Sequence, residues 1–152
     1  MKFLCDRMLG SLAKWLRIIG FDTYFPNSET SDNELLDIAK KENRTLITRD
    51  VELVFNARRE NIKVINFKTT CLDEQLKLVL KQLKIDKKLF LSRCTLCNSL
   101  VTPIKKGEIK EKVPKKVFEN KEKFWICKKC DKIYWIGSHY EKMKSKIKNL
   151  SN

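Results

Sequence analysis

Along the first half of the chain the apolar positions switch between two periods. "KFLC" is a short apolar run that predicts a β-strand ending at Asp6, and then Leu9, Leu12, Ala13, Leu16 and Ile19 recur at helical spacing, with Lys14 and Arg17 off that face. Gly20 is placed to end this helix as a C-terminal cap. "DTYF" predicts a second strand and "PNSETSDN" a loop, after which Ser31 and Glu34 have capping-box spacing. That spacing predicts a helix from about Asp32 that buries Leu35, Leu36, Ile38 and Ala39. "TLIT" reads as a third strand, "VELVFNARRE" as a helix and "KVINF" as a fourth strand. Thr70 with Asp73 is placed to cap another helix carrying Leu72, Leu76, Val79, Leu80 and Leu83.

Strands alternating with helices imply an α/β fold, a parallel sheet covered on both faces by right-handed crossovers. The pattern divides the chain into a first unit over 1–84, a linker over 85–92 and a second unit over 93–152 that ends in a basic helix. In that last helix, starting near His139, Tyr140, Met143 and Ile147 are expected to pack on one of the two units.

The second unit carries "CTLC" and "CKKC", which set Cys94 and Cys97 against Cys127 and Cys130. Each knuckle turns two thiolates toward one ion, so the paired motif suits tetrahedral Zn²⁺. Four thiolates leave no vacancy for water, which makes the zinc structural rather than catalytic. Cys5 and Cys71 sit among apolar residues and read as buried free thiols of a reducing compartment. Trp125, Tyr134 and Trp135 flank the second knuckle, either as stacking platforms for bases or as the core of a very small domain.

Thirty-three Lys and Arg against nineteen acids give a formal net charge of +14, and much of the excess falls after residue 100. Such a surface attracts polyanions, with nucleic acid the leading class. No apolar run is long enough to span a bilayer, and the N-terminus lacks the pattern of a signal peptide, so a soluble cytoplasmic protein without a membrane partner is expected.

Against that positive background the acids are placed selectively. Ligands of a parallel α/β sheet bind beyond the carboxyl ends of its strands. Asp6 follows the first strand, Asp50 the third, and Asp32, with Glu34 nearby, opens the helix after the second. Each has a local alternative: Asp32 and Glu34 as helix-terminal residues, Asp6 paired with Arg7, and Asp50 with Arg49. Their joint arrival at one edge favours a hard divalent cation, Mg²⁺ or Mn²⁺, held by oxygen ligands. Arg7, Lys14, Arg17 and Arg49 lie near that edge or on the expected exposed face of the first helix, where they could hold phosphates.

"CDRMLGSLAKWLRIIGFDT", "SDNELLDIAKKENRTLITRD", "RCTLCN" and "CKKCDKIYWIGSHYEKM" together resemble the Mut-seven C-terminal RNase family over nearly the whole chain. The resemblance implies a PIN-like three-layer fold with an appended zinc ribbon and a metal-dependent ribonuclease. It puts Asp6, Asp32 and Asp50 at the acidic positions and Cys94, Cys97, Cys127 and Cys130 at the ribbon positions. PIN-like sites often use a fourth acid, for which Glu34, Asp37 and Asp73 are candidates. The competing expectation is a non-catalytic zinc-ribbon module that binds RNA or associates with the ribosome or another ribonucleoprotein. Oligomeric state and RNA preference are not legible in the sequence.

Overall fold

A computed structural model describes residues 1–151, so Asn152, the last residue of the expected second unit, lies outside the described residues. Strand β1 (Lys2–Cys5) leads through a 3₁₀ turn at Arg7–Leu9 into helix α1 (Gly10–Ile19). Then follow β2 (Asp22–Tyr24), α2 (Asp32–Lys41), β3 (Thr45–Thr48), α3 (Val51–Arg59), β4 (Val64–Asn66) and α4 (Leu72–Leu80). The four strands are parallel in the order β2-β1-β3-β4, so the chain reverses its direction of travel across the sheet between β2 and β3. β1 and β3 are the central neighbours.

The period-2 alternation of the strands sorts the core into two halves. Phe3, Cys5 and Ile47 face α1 and α4 and pack with Leu12, Leu16, Leu76 and Val79. Leu4 and Leu46 face α2 and α3 and pack with Leu35, Leu36, Leu53 and Ala57. This is the expected three-layer α/β arrangement.

Two local expectations are corrected. Thr70 and Asp73 do not form a cap for α4: its N-cap is Cys71, without a side-chain cap bond. Thr69 instead ties the start of the helix, its hydroxyl bonding Glu74 and accepting from the N–H of Cys71. Cys71 is therefore exposed rather than buried, because a cap position lies outside the helix's packed face; Cys5 is fully buried as expected.

The second unit is a small antiparallel sheet, β5 (Thr102–Ile104), β6 (Phe124–Ile126) and β7 (Ile133–Trp135), with helix α5 (Lys115–Asn120) between its first two strands. Ile109, Val113, Phe124, Ile126 and Ile133 make its core. The last described element is α6 (Ser138–Ser151), which packs on α4 and buries Ile147 against the first unit's core. None of the described helices is long and apolar enough to cross a membrane.

The two units are fastened together by polar groups that the sequence pattern hides. Arg17, expected on an exposed face, is only 6% exposed. Its Nε donates to the Thr23 carbonyl at 2.9 Å, and Nη1 donates to the carbonyls of Thr95 at 3.1 Å and Leu96 at 2.8 Å in the first knuckle. Three of its donors are thus spent on carbonyls of both units, so it acts as a structural rivet. Asn98 adds two bonds, accepting from the Thr23 N–H and donating to Asp22 Oδ1, both at 2.9 Å. Burial pushes the Asp22 carboxyl up, but hydrogen bonds from Arg44 and Asn98 and the charges of Arg44 and Arg93 outweigh it and hold it below its ordinary value.

The expected linker over 85–92 packs as part of this junction. Leu91 N–H donates to the Ile18 carbonyl at 2.7 Å, and Leu89 lies against Gly20. Gly20 has φ +104°, and a Cβ there would collide with the Leu89 carbonyl, so both conformation and close approach require glycine.

Replacing Arg17 by Met keeps apolar bulk but leaves the three carbonyls without their donor. At ~1–3 kcal/mol for each buried group left unpaired, the expected loss is about 3 kcal/mol or more. It should appear as a lower denaturant midpoint and as earlier proteolysis within 85–100. Lysine should rescue poorly, since its ammonium lacks the planar fork that reaches both units.

Candidate active site and metal centre

The acidic edge is built on the β1–β3 pair. The N–H of Asp6 donates to the Ile47 carbonyl at 2.9 Å, so the parallel ladder runs one residue past β1 and places Asp6 beside Thr48. Asp6 is 5% exposed. Its Oδ1 accepts from the N–H of Arg7, capping the 3₁₀ turn, and its Oδ2 accepts from the Thr48 hydroxyl at 2.9 Å. That hydroxyl oxygen in turn accepts from the N–H of Asp50 at 2.9 Å. One threonine thus joins two acids delivered by different strands. Thr48 was missed from the sequence; the signal was a hydroxyl two residues before Asp50 in "TLITRD".

Asp50 is the N-cap of α3, and its Oδ1 accepts from the N–H groups of Glu52 at 2.8 Å and Leu53 at 3.0 Å. The cap engages only that oxygen. Asp32 opens α2 and reaches the same neighbourhood through Arg7: Nη2 donates to Asp32 Oδ1 at 2.8 Å, while Nη1 donates to the Thr30 carbonyl. Both side chains of the pair are about half exposed, at 42% and 51%, so the ion pair is worth no more than ~1 kcal/mol.

Glu34 takes the capping role that its spacing predicts. Its Oε2 accepts from both the N–H and the hydroxyl of Ser31, bonds that hold its carboxyl below the ordinary value. Of the other candidates for a fourth acid, Asp73 pairs with Lys146 of α6 and Asp37 is exposed on α2. Among the described residues the acids do not close to the spacing of one ligand shell.

Two of the expected cations stand free for a ligand. Lys14 is exposed on α1. Arg49 rests with Nη2 3.7 Å from the Met8 sulfur, and its Nε is buried without a hydrogen-bond partner among the described residues. A buried guanidinium donor left unpaired is costly unless something else occupies it.

The cysteine quartet is already assembled. The Sγ atoms of Cys94, Cys97, Cys127 and Cys130 all lie within 4.8 Å of one another, with Cys97 and Cys127 at 3.4 Å. A tetrahedron with bonds of about 2.3 Å sets its thiolates ~3.8 Å apart, so the donor set and its size fit a structural metal such as zinc. Burial acts to raise Cys97, but hydrogen bonds with Ser99, Cys130 and Cys127 outweigh it and hold this thiol down to about 6. Its bond with Cys97, followed by burial, pushes Cys130 up to about 12. Cysteines bind a cation as thiolates, so metal binding here would release protons. Tyr134 donates to Cys94 Sγ at 3.1 Å and accepts from the Thr95 N–H at 3.1 Å, fixing the first knuckle from β7.

The family described as the Mut7-C RNAse domain matches this chain over residues 1–147. No curated protein and no solved structure gives a match. Since the match runs from Met1 into the last helix and takes in both the acidic edge and the cysteine quartet, the chain belongs to the Mut7-C RNase domain family.

Proposed function

We propose that the protein is a divalent-metal-dependent ribonuclease whose acidic edge hydrolyses RNA phosphodiesters. The observation that carries this reading is the Asp6–Thr48–Asp50 chain of hydrogen bonds at the exits of the two central strands. It ties the Asp6 carboxylate to the backbone of Asp50 at neighbouring strand exits of a basic protein, and hard oxygen donors suit Mg²⁺ or Mn²⁺. When bound, such an ion supplies Lewis-acid polarisation of the phosphate and a nucleophilic water at neutral pH.

The protein's own groups then have separate tasks. Asp6 and Asp50 would hold the ion, Asp6 from a nearly dry position that would strengthen its field. Asp32 would be the third ligand, its exposed pair with Arg7 being weak enough to give way. Glu34 acts through Asp32, by fixing the first turn of α2. Arg49 and Arg7 offer their guanidinium groups to the oxygens of the scissile phosphate. Hydrolysis leaves a 5′-phosphate and a 3′-hydroxyl and needs no histidine base, consistent with a chain that has one histidine, in the second unit. RNA of the cytoplasm, free or within a ribonucleoprotein, is the proposed substrate.

The competing reading is an RNA-binding module that does not cut. It is favoured by the finding that, among the described residues, only the cysteines stand at ligand spacing. End-labelled single-stranded and hairpin RNAs, incubated with the protein in Mg²⁺, Mn²⁺ or EDTA, separate the two. Shortening that requires a divalent ion supports the nuclease; equal binding in all three conditions without shortening supports the module.

A further inference from the structure

The aromatic side chains around the second knuckle take no part in the acidic edge. Two cavities lie among them, where α1, the 85–92 segment, the antiparallel sheet and α6 meet. The first, of about 260 Å³, is lined by Ile18, Met143, Lys14, Lys132 and His139. The second, of about 240 Å³, is lined by Phe90, Val101, Trp125 and Lys88. Leu91, Tyr134, Trp135 and Tyr140 line both, so the cavities are neighbours with an aromatic wall in common. Neither lining contains a carboxylate, and each contains lysine.

The aromatic groups are held in place rather than loosely displayed. Tyr140 meets Phe90 edge to face, with centroids 5.3 Å apart. Tyr134 is anchored to the first knuckle, with the Lys132 ammonium 5.3 Å from its ring centre. A third cavity continues past Phe90 and Tyr140 and is lined by Lys87, Lys144 and Lys148, again without a carboxylate.

We infer that the paired cavities are a subsite for single-stranded RNA, taking two successive bases against the Trp135 and Tyr140 wall with the neighbouring phosphates on Lys14, Lys132 and Lys88. Flat apolar faces suit bases, and adjacent chambers sharing a wall suit consecutive bases of one strand. The lysines, with no carboxylate beside them, suit the backbone between those bases. Stacking of this kind tolerates any base, because every base has a π-face. The inference rests on RNA being the ligand of this ribonuclease and extends the binding surface to the ribbon. Lys14 lies on the helix that leaves the acidic edge, about 6 Å of rise beyond its first residue Gly10 at 1.5 Å per helical residue, so one strand can occupy both.

The test is binding of a fluorescent hexauridylate by the full-length zinc-loaded chain in Mg²⁺ buffer and again after Mg²⁺ is withdrawn, with tryptophan fluorescence followed in parallel. Lys14→Glu, Tyr140→Leu and Trp135→Leu should each weaken binding at least about tenfold, as loss of a stacking or phosphate contact does. Lys116→Glu, the same charge change on α5 away from both cavities, should weaken it less than about twofold at physiological salt. Should Trp135→Leu prove unstable, Lys14 and Tyr140 carry the test, since their side chains are not part of the ribbon's core. Inorganic polyphosphate should bind without quenching tryptophan. Equal effects of Lys14→Glu and Lys116→Glu, or equal quenching by polyphosphate, would overturn the inference. A protein that binds as described but never cuts RNA retains this subsite and loses the nuclease reading; one that cuts while Lys14→Glu behaves as Lys116→Glu does the reverse.

Discussion

Cys127→Ser is expected to abolish structural metal binding by the quartet and to unfold the second unit while the parallel sheet stays ordered. The unit's core is five buried apolar residues behind three strands of three residues each, too little to hold a domain of that size without a staple. A structural zinc site contributes ~10–16 kcal/mol at neutral pH in comparably small domains, and serine is a poor replacement for a thiolate ligand. The effect should spread to the junction, because Arg17 is bonded to the carbonyls of Thr95 and Leu96 within the first knuckle. Hydrogen exchange of the intact variant should show residues 93–135 exchanging freely, the 85–92 segment loosened, and β1 and β3 still protected. Chelation of the wild-type protein should reproduce this pattern. Retention of one zinc per chain and an unchanged melting temperature in the variant would show that the quartet is not a metal site.

Asp6→Asn is expected to lower RNA cleavage by roughly 10²–10³-fold or more, taking several kcal/mol of lost ligand field at 1.36 kcal/mol per tenfold. The fold should survive. Asparagine has nearly the same shape and keeps one oxygen for the Thr48 hydroxyl, giving up only the bond from the Arg7 N–H. A melting temperature within a few degrees of the wild type, with activity lost, is the combination expected of a residue retained for chemistry. Asp50→Asn should behave similarly, since asparagine caps helices as well as aspartate does. Asp32→Asn should lose less, being exposed and paired with Arg7. Wild-type cleavage rates in Asp6→Asn would remove the acidic edge from the mechanism.

The strands and helices of the first unit were legible because each carries a clear period, and the sharp charge at the end of "TLITRD" correctly marked the sheet edge. The cysteine spacing likewise announced the quartet. What the sequence hid depends on contacts between distant segments. Arg17 reads as a solvated helix position because nothing in its own helix shows that Thr95 and Leu96 will cover it. Glu34 has two roles compatible with its spacing, and the position of its carboxylate on Ser31 shows that it fills the capping one. Thr48 looks like an ordinary β-branched strand residue until the parallel register sets it beside Asp6. The α4 cap failed for a local reason, since Cys71 takes the N-cap position and Thr69 bonds its N–H from outside the helix.

The acidic edge as a cation site is tested most directly by titrating Mn²⁺ into the isotopically labelled, zinc-loaded chain and following paramagnetic broadening of its amide signals. At substoichiometric Mn²⁺, the signals of Asp6, Arg7, Asp50 and Val51 should broaden first, recover when Mg²⁺ is added in excess, and remain sharp in Asp6→Asn. Broadening centred elsewhere on the protein, or unchanged by Asp6→Asn, would contradict the account.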